Sequence, residues 1–357
     1  GLTMPKRILP VIQPTVTSWS WQANTFAILE AHNMGKEWLY SNYIQLVGNN
    51  FSNTVNIDFY PRGDVFSICP LFCTQKIDRS FLQSLKCNPL DFLKLCINNN
   101  CYIYAVLNYS DILKYPNIYH DSMIYGYDDT SQRIFLTEFI FKNKYSFETI
   151  SYSQFINACT NVPPEQDFIN DWRGGVQLIK VSPSYPPYYF DIYYVKESFG
   201  EYLNGIETAN RYRGFKPPYA NEVYGLDIYD LLISFCYEKK YDYRPFSVLK
   251  DHHTLMIKRL IYMQERQKVI DCTNIVNEYI KIVESLQTII SKEIKYSLKR
   301  NPQYMEDILV QLKYIKSMDA KLVKEIIDNI VEHKYYFSYQ TIFYKGIMPS
   351  EKGFRFS

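Results

Sequence analysis

Between residues 269 and 298, apolar side chains return at every third or fourth position, through Val276, Tyr279, Val283, Leu286 and Ile290. This is the period of a helix with one buried face. Shorter helical patterns follow over 304–316 and 319–333, with breaks expected near Asn301–Pro302 and near Ser317. Upstream of about Phe246 the pattern is mixed. Apolar positions at Phe26, Ala27, Ile28 and Leu29 predict a helix over 21–33 packed on more than one side, and "DFLKLCIN" (91–98) predicts another. "CYIYAVLNY" (101–109) is rich in β-branched and aromatic residues and reads as a strand. "HDSMIYGYD" (120–128) and "RIFLTEF" (133–139) flank the turn-forming "DDTSQ" and predict an antiparallel hairpin. A helix is expected over 150–159, with Ser151 and Gln154 at capping-box spacing, and "GVQLIKV" (175–181) is a further strand.

The expected class is α+β. An α+β domain spans 1–245, a helical domain or lid 246–345 and a tail 346–357, and the residues ahead of Met4 are set outside the fold. With 357 residues, 47% of them hydrophobic and 21% charged, the chain can bury a sizeable core. A net charge of +2 gives no nucleic-acid footprint. No run is apolar enough to span a membrane, and "GLTMPKRILP" lacks the apolar core of a secretory signal, so a cytoplasmic protein is expected. The eight cysteines lie in apolar segments without zinc-like spacing, the pattern of reduced buried thiols, and no metal is expected. Phosphate-binding glycine motifs are absent, which argues against nucleotide-dependent ligation.

The candidate chemistry gathers in two places. "TSWSWQANTFAILEAHN" (17–33) passes from loop into helix at Ser20, which is flanked by Trp19 and Trp21. A helix N-terminus presents N–H groups and positive potential, useful for activating a nucleophile and for holding an oxyanion. His120 begins the first hairpin strand, and the return strand brings Glu138 toward it, within a few ångströms if the two oppose each other. Ser20, His120 and Glu138 are thus a candidate nucleophile, base and orienter. Each also has a plainer reading: Ser20 as a helix N-cap, His120 as a polar residue near a loop, Glu138 as a solvated face residue. His252–His253 reads as a surface or packing feature rather than a ligand pair, because neighbours on a helix diverge by about 100°.

These segments resemble the papain-like cysteine peptidase superfamily, in particular C39-type peptidases and the butirosin biosynthesis protein H-like acyltransferases. "SWSWQANTFAIL" looks like the nucleophile helix, and "HDSMIYGYDD…RIFLTEF" like the histidine strand, a Gly-Tyr turn and the acid-bearing strand. "ISYSQFINAC" resembles the helix that follows, and "LKDHHTLMIKRLIYMQER" the start of a C-terminal helical region. The resemblance covers roughly residues 13–160, with an echo over 248–266. It implies a papain-like, C39-like domain with an antiparallel sheet and an N-terminal nucleophile helix, followed by helices. It further implies Gln13 as the oxyanion-hole residue, although its spacing from Ser20 is one longer than usual. Trp19 and Trp21 become candidate substrate contacts.

The sequence departs from the family in carrying serine where cysteine is usual and glutamate where aspartate or asparagine is common. A hydroxyl is the poorer nucleophile at neutral pH. Position 20 is therefore a cysteine-to-serine replacement, a natural serine variant or the mark of an inactive copy. The implied function is an acyltransferase that forms an amide bond between an acyl thioester on an acyl or peptidyl carrier protein and a small amine. Polythioamide (closthioamide-type) and aminoglycoside side-chain assembly are the analogies, and no cofactor is expected. The alternatives are a cysteine peptidase or amidase that cleaves a leader or protecting group, and an inactive binding module. The tyrosine-rich stretches 184–194 and 211–220 are expected to line a substrate channel or to pack between domains.

Overall fold

The computed structural model describes residues 4–51, 53–60, 62–167, 174–182, 188–214 and 221–331. The tail 346–357 and parts of both tyrosine-rich stretches, 184–187 and 215–220, lie outside the described residues. The chain begins with strand β1 (Lys6–Ile8), helices α1 (Ser20–Ala31) and α2 (Lys36–Asn42), and a hairpin of β2 (Leu46–Phe51) and β3 (Thr54–Phe59). Next come α3 (Val65–Ile68), β4 (Phe72–Ile77), α4 (Arg79–Ser84), α5 (Pro89–Asn98), β5 (Cys101–Asn108) and α6 (Ser110–Leu113). The hairpin of β6 (Tyr119–Asp128) and β7 (Arg133–Glu138) leads to β8 (Ser146–Ser151), α7 (Tyr152–Thr160), α8 (Pro164–Asp167) and β9 (Val176–Val181). The remainder is α9 (Ile192–Asn204), β10 (Val223–Tyr224), α10 (Asp227–Tyr237), α11 (Arg244–Glu265), α12 (Thr273–Lys299) and α13 (Pro302–Asn329). The molecule is α+β, with antiparallel sheets and a C-terminal helical region.

One sheet runs β4-β9-β5-β6-β7-β8, and every pairing in it is antiparallel. The expected hairpin is its centre. Its long strand β6 shares one edge between β5, along Tyr119–Ile124, and β1, along Gly126–Asp128. A Cβ at Gly126 would lie 2.8 Å from the Arg7 carbonyl, so glycine is what lets β1 approach. Gly126–Tyr127, expected at a turn, therefore lies inside a strand. The predicted capping box is present: Ser151 Oγ accepts from the Gln154 amide, and the Gln154 side chain accepts from the Ser151 amide.

Helix α1 sits between two cores. Phe26 and Leu29 join the cluster built from α2, the small sheet β10-β2-β3 and helices α9 to α13. Ile28 joins the cluster between the large sheet, α5 and α7, while Ala23 and Ala27 meet Tyr145. A helix buried on all sides lacks a solvent face, which is why no single apolar stripe shows in its sequence. Among its buried polar groups, Asn24 Oδ1 accepts from both the Thr137 and Tyr145 hydroxyls at 2.8 Å. The C-terminal helices share their core with α1 and α2, so the helical region packs directly behind the first helix.

One expectation is corrected here. The two patterns expected to break near Ser317 form a single helix, α13. Asp319, a polar interruption in the sequence, turns inward and is fully buried, with its carboxylate accepting from the hydroxyls of Tyr202 (2.6 Å), Tyr229 (3.1 Å) and Tyr279 (2.9 Å). Three donors satisfy it, so the helix continues through. His252 and His253 are also fully buried in this region, bonded through Nε2 to the Ile44 carbonyl (2.7 Å) and the Tyr229 hydroxyl (2.8 Å). They are packing groups, not surface ones.

Candidate active site

A cavity of about 490 Å³ opens where the N-terminus of α1, the ends of β6 and β7 and the start of α11 meet. That volume lies in the ordinary range for small-molecule sites. Trp19, Ser20, Trp21, His120 and Asp121 all line it, and Lys144, Gln166 and Arg244 come from the loop before β8 and from helices α8 and α11.

Ser20 is the first residue of α1, not its cap. Trp19 occupies the cap position and makes no side-chain cap bond. The Ser20 hydroxyl instead donates to Asp121 Oδ2, which also accepts from the Tyr104 hydroxyl at 2.6 Å. The other carboxylate oxygen of Asp121 lies 3.7 Å from His120 Nδ1, and Nδ1 itself is 2.9 Å from the Asp121 main-chain carbonyl. A carbonyl only accepts, so a neutral His120 carries its proton on Nδ1 and leaves the Nε2 lone pair available as a base. Asp121 thus stands between the hydroxyl and the imidazole.

Glu138 is placed differently from the sequence expectation. The β6–β7 ladder ends at Met123 opposite Thr137, so by continuation of that register Glu138 stands beside Ser122, two residues from His120. Its carboxylate accepts from the amides of Ile140 (2.6 Å) and Phe141 (2.7 Å), closing the chain reversal after β7. Burial raises its pKa, opposed by those two amides and by the charge of His120. Glu138 is near the imidazole, but the polar contacts of His120 run to Asp121. Gln13 is exposed on the loop after β1 and is not among the residues that line the cavity.

The wall beside Ser20 is held rigidly. Trp19 and Trp21 stack with ring centroids 4.9 Å apart and planes at 11°. Their indole N–H groups donate to the Ile57 carbonyl (2.7 Å) and to Asp58 Oδ2 (2.9 Å) on β3. Asp58 Oδ1 also accepts from the Gln22 side chain at 3.1 Å, and burial pushes this carboxyl up to about 7. On the other side, Asp251 of α11 accepts from the amides of Thr17 and Ser18, both at 2.8 Å. Burial raises Asp251 to about 6, against the pull of those donors. Two buried carboxyls from distant parts of the chain therefore clamp the chain on either side of Ser20, Asp251 on the loop before it and Asp58 on the first turn of α1.

Asp121, Tyr104, Asp58 and Asp251 are the site residues that the sequence reading did not single out. The signal for Asp121 was adjacency to His120, but neighbours on a strand point to opposite faces. Only the position of α1 decides which face matters. Among the described residues no three His, Cys, Asp or Glu side chains converge on a metal position, and no helix is long and apolar enough to cross a membrane. Cys69 is buried, with its thiol pushed up to about 12 by burial, while Cys73 is exposed. Models of known protein families and curated proteins were compared with the sequence, and none matches.

Proposed function

We propose that this cavity is an acyl-transfer site and that the chain forms amide bonds between a carrier-protein-bound acyl thioester and a small amine. One observation carries the reading. The hydroxyl at the N-terminus of α1 and the imidazole of His120 share a cavity, with the Asp121 carboxylate between them. The resemblance of the α1 and hairpin segments to papain-like acyltransferases supports the same assignment.

In this mechanism the side-chain oxygen at position 20 attacks the thioester carbonyl, and its proton passes to His120 by way of the Asp121 carboxylate between them. The carbonyl oxygen gains its charge near the first turn of α1, where helical N–H groups favour it. Collapse of the tetrahedral intermediate expels the carrier thiol, which leaves with the proton from His120. The amine then attacks the acyl ester, gives its proton to His120, and the Ser20 oxygen departs reprotonated as the amide is released. A sulfur at position 20 follows the same path with a better nucleophile. Orientation of the amine beside the acyl group lets it compete with water, since effective molarities for well-placed reactants reach about 10⁵ M or more.

The test uses the full chain and its Ser20→Cys variant with a series of small acyl thioesters and a panel of diamines and aminoglycosides. Intact-mass analysis is expected to show an acyl adduct on position 20, stronger with cysteine and lost in His120→Ala. Product analysis is expected to show amide in excess of free acid. Free acid alone, together with cleavage of amide substrates, would replace transfer by hydrolysis. Absence of any adduct in Ser20→Cys would leave a binding module.

A further inference from the structure

The face of the large sheet opposite α1 holds a second cavity, of about 290 Å³. Alternation along β5 sends Ile103 and Ala105 to this face and Tyr104 and Val106 to the Ser20 side. Ala105 is the reason for the depth. Its methyl group lies among the larger Ile103, Ile124 and Phe155, and the packed helices α5 and α7 do not reach down to fill the gap. Protein interiors leave few voids larger than a water molecule. An apolar cavity of roughly 150 Å³, about half this volume, is large enough to take up benzene.

Two of the polar groups around it, Arg79 and Thr160, are already committed. Arg79 donates through Nε to Asp167 (2.9 Å), through Nη1 to the Cys159 carbonyl (2.9 Å) and through Nη2 to the Val106 carbonyl (2.8 Å). The Thr160 hydroxyl donates to the Ile156 carbonyl at 2.8 Å. No carboxylate lines the cavity. At its rim, the exposed Lys86 follows α4 and has no ion pair among the described residues. The site thus offers an apolar interior and one cation at its rim.

We propose that this cavity binds a straight-chain alkyl carboxylate, with the chain against Ala105, Ile103 and Phe155 and the carboxylate on Lys86. The site is independent of the acyl-transfer reading, because it lies on the other face of the sheet. Arg79 joins the two cavities: its guanidinium holds the carbonyl of Val106, which lines the Ser20 cavity.

Isothermal titration calorimetry of the full chain with carboxylates from butanoate to decanoate tests the proposal, with octylamine and octanol as controls. Affinity is expected to rise about fourfold per methylene, the equivalent of ~0.8 kcal/mol per buried CH₂, until the chain outgrows the cavity. Octylamine is expected to bind at least tenfold more weakly than octanoate. Ala105→Phe fills the floor and is expected to abolish binding. Lys86→Glu changes only an exposed side chain, and is expected to weaken octanoate at least tenfold while leaving octanol unchanged. The proposal is overturned if no carboxylate binds at millimolar concentration, if octylamine matches octanoate, or if Lys86→Glu leaves octanoate binding unchanged.

Discussion

The Ser20 hydroxyl is bonded to the carboxylate of Asp121, the residue immediately after the histidine of its own cavity. Asp121 also receives the Tyr104 hydroxyl and faces His120 Nδ1. The group that couples nucleophile to imidazole is therefore adjacent to His120 in sequence, not on the next strand. Asp121→Asn is expected to lower acyl-adduct formation by about 10²-fold or more, the usual weight of a proton-handling group, measured as the rate of adduct growth by intact mass. Retained rates would return the orienting role to Glu138.

Glu138 has a different consequence when removed. Its carboxylate satisfies two amides, Ile140 and Phe141, at the end of β7. Glu138→Ala strands both, and an unsatisfied buried donor costs about 1–3 kcal/mol. With two amides stranded, urea unfolding is expected to show a loss of about 2–6 kcal/mol. Adduct formation per folded molecule should fall less than in Asp121→Asn.

Asp251 ties α11 to the loop before Ser20 through the amides of Thr17 and Ser18. Asp251→Ala is expected to cost about 2–6 kcal/mol, from two stranded amides at about 1–3 kcal/mol each. It should also slow adduct formation, because Ser20 loses its fixed approach. Asp251→Asn, which keeps an acceptor oxygen, is expected to recover most of both. Equal behaviour of the two variants would show that the amide bonds do not position the loop.

Glu293 of α12 sets a pH dependence. Burial raises its carboxyl to about 8, and its Oε1 is buried without a partner, consistent with a protonated acid. Between its ordinary value of 4.5 and about 8, the folded chain holds a proton that the unfolded chain has released. Stability from this group is therefore full below pH 4.5 and falls as pH rises toward 8, with a slope approaching about 1.4 kcal/mol per pH unit. Glu293→Gln is expected to flatten the denaturant midpoint over that window. An unchanged slope in the variant would assign the effect to Asp58 or Asp251, whose raised values act in the same direction.

The three phenols on Asp319 give a test inside the helical region. Tyr279→Phe removes one donor from a fully buried carboxylate and is expected to cost about 1.5–3 kcal/mol, the range for a hydrogen bond to a charged group. Asp319→Ala leaves three hydroxyls without their acceptor and should cost more than any single tyrosine change. Thermal or urea unfolding checks the order, and a smaller loss in Asp319→Ala would mean the phenols find other partners.

Local patterning was enough to reveal the elements whose signals are local. The hairpin at 120–139, the strand at 101–109, the capping box at Ser151 and the long amphipathic helix near 273–299 all follow from turn chemistry and periodicity, which neighbouring residues carry by themselves. The start of α1 at Ser20 and the presence of His120 in the same cavity also agree with that reading. What the sequence could not carry is which side chains meet across distance. Asp121 and His120 are consecutive, and only the packing of α1 on one face of the sheet selects Asp121 as the acceptor for Ser20. Asp58 and Asp251 lie on β3 and α11, and their convergence on residues 17–22 depends on the core shared by the first helix and the last ones. Asp319 stands at the start of a separate helical pattern along the chain, after the break expected near Ser317, and becomes a helix interior position once three tyrosines from other helices surround it. Periodicity reports how one segment faces a core, whereas a buried polar contact is decided by the partner, and the partner is fixed only when the chain has folded.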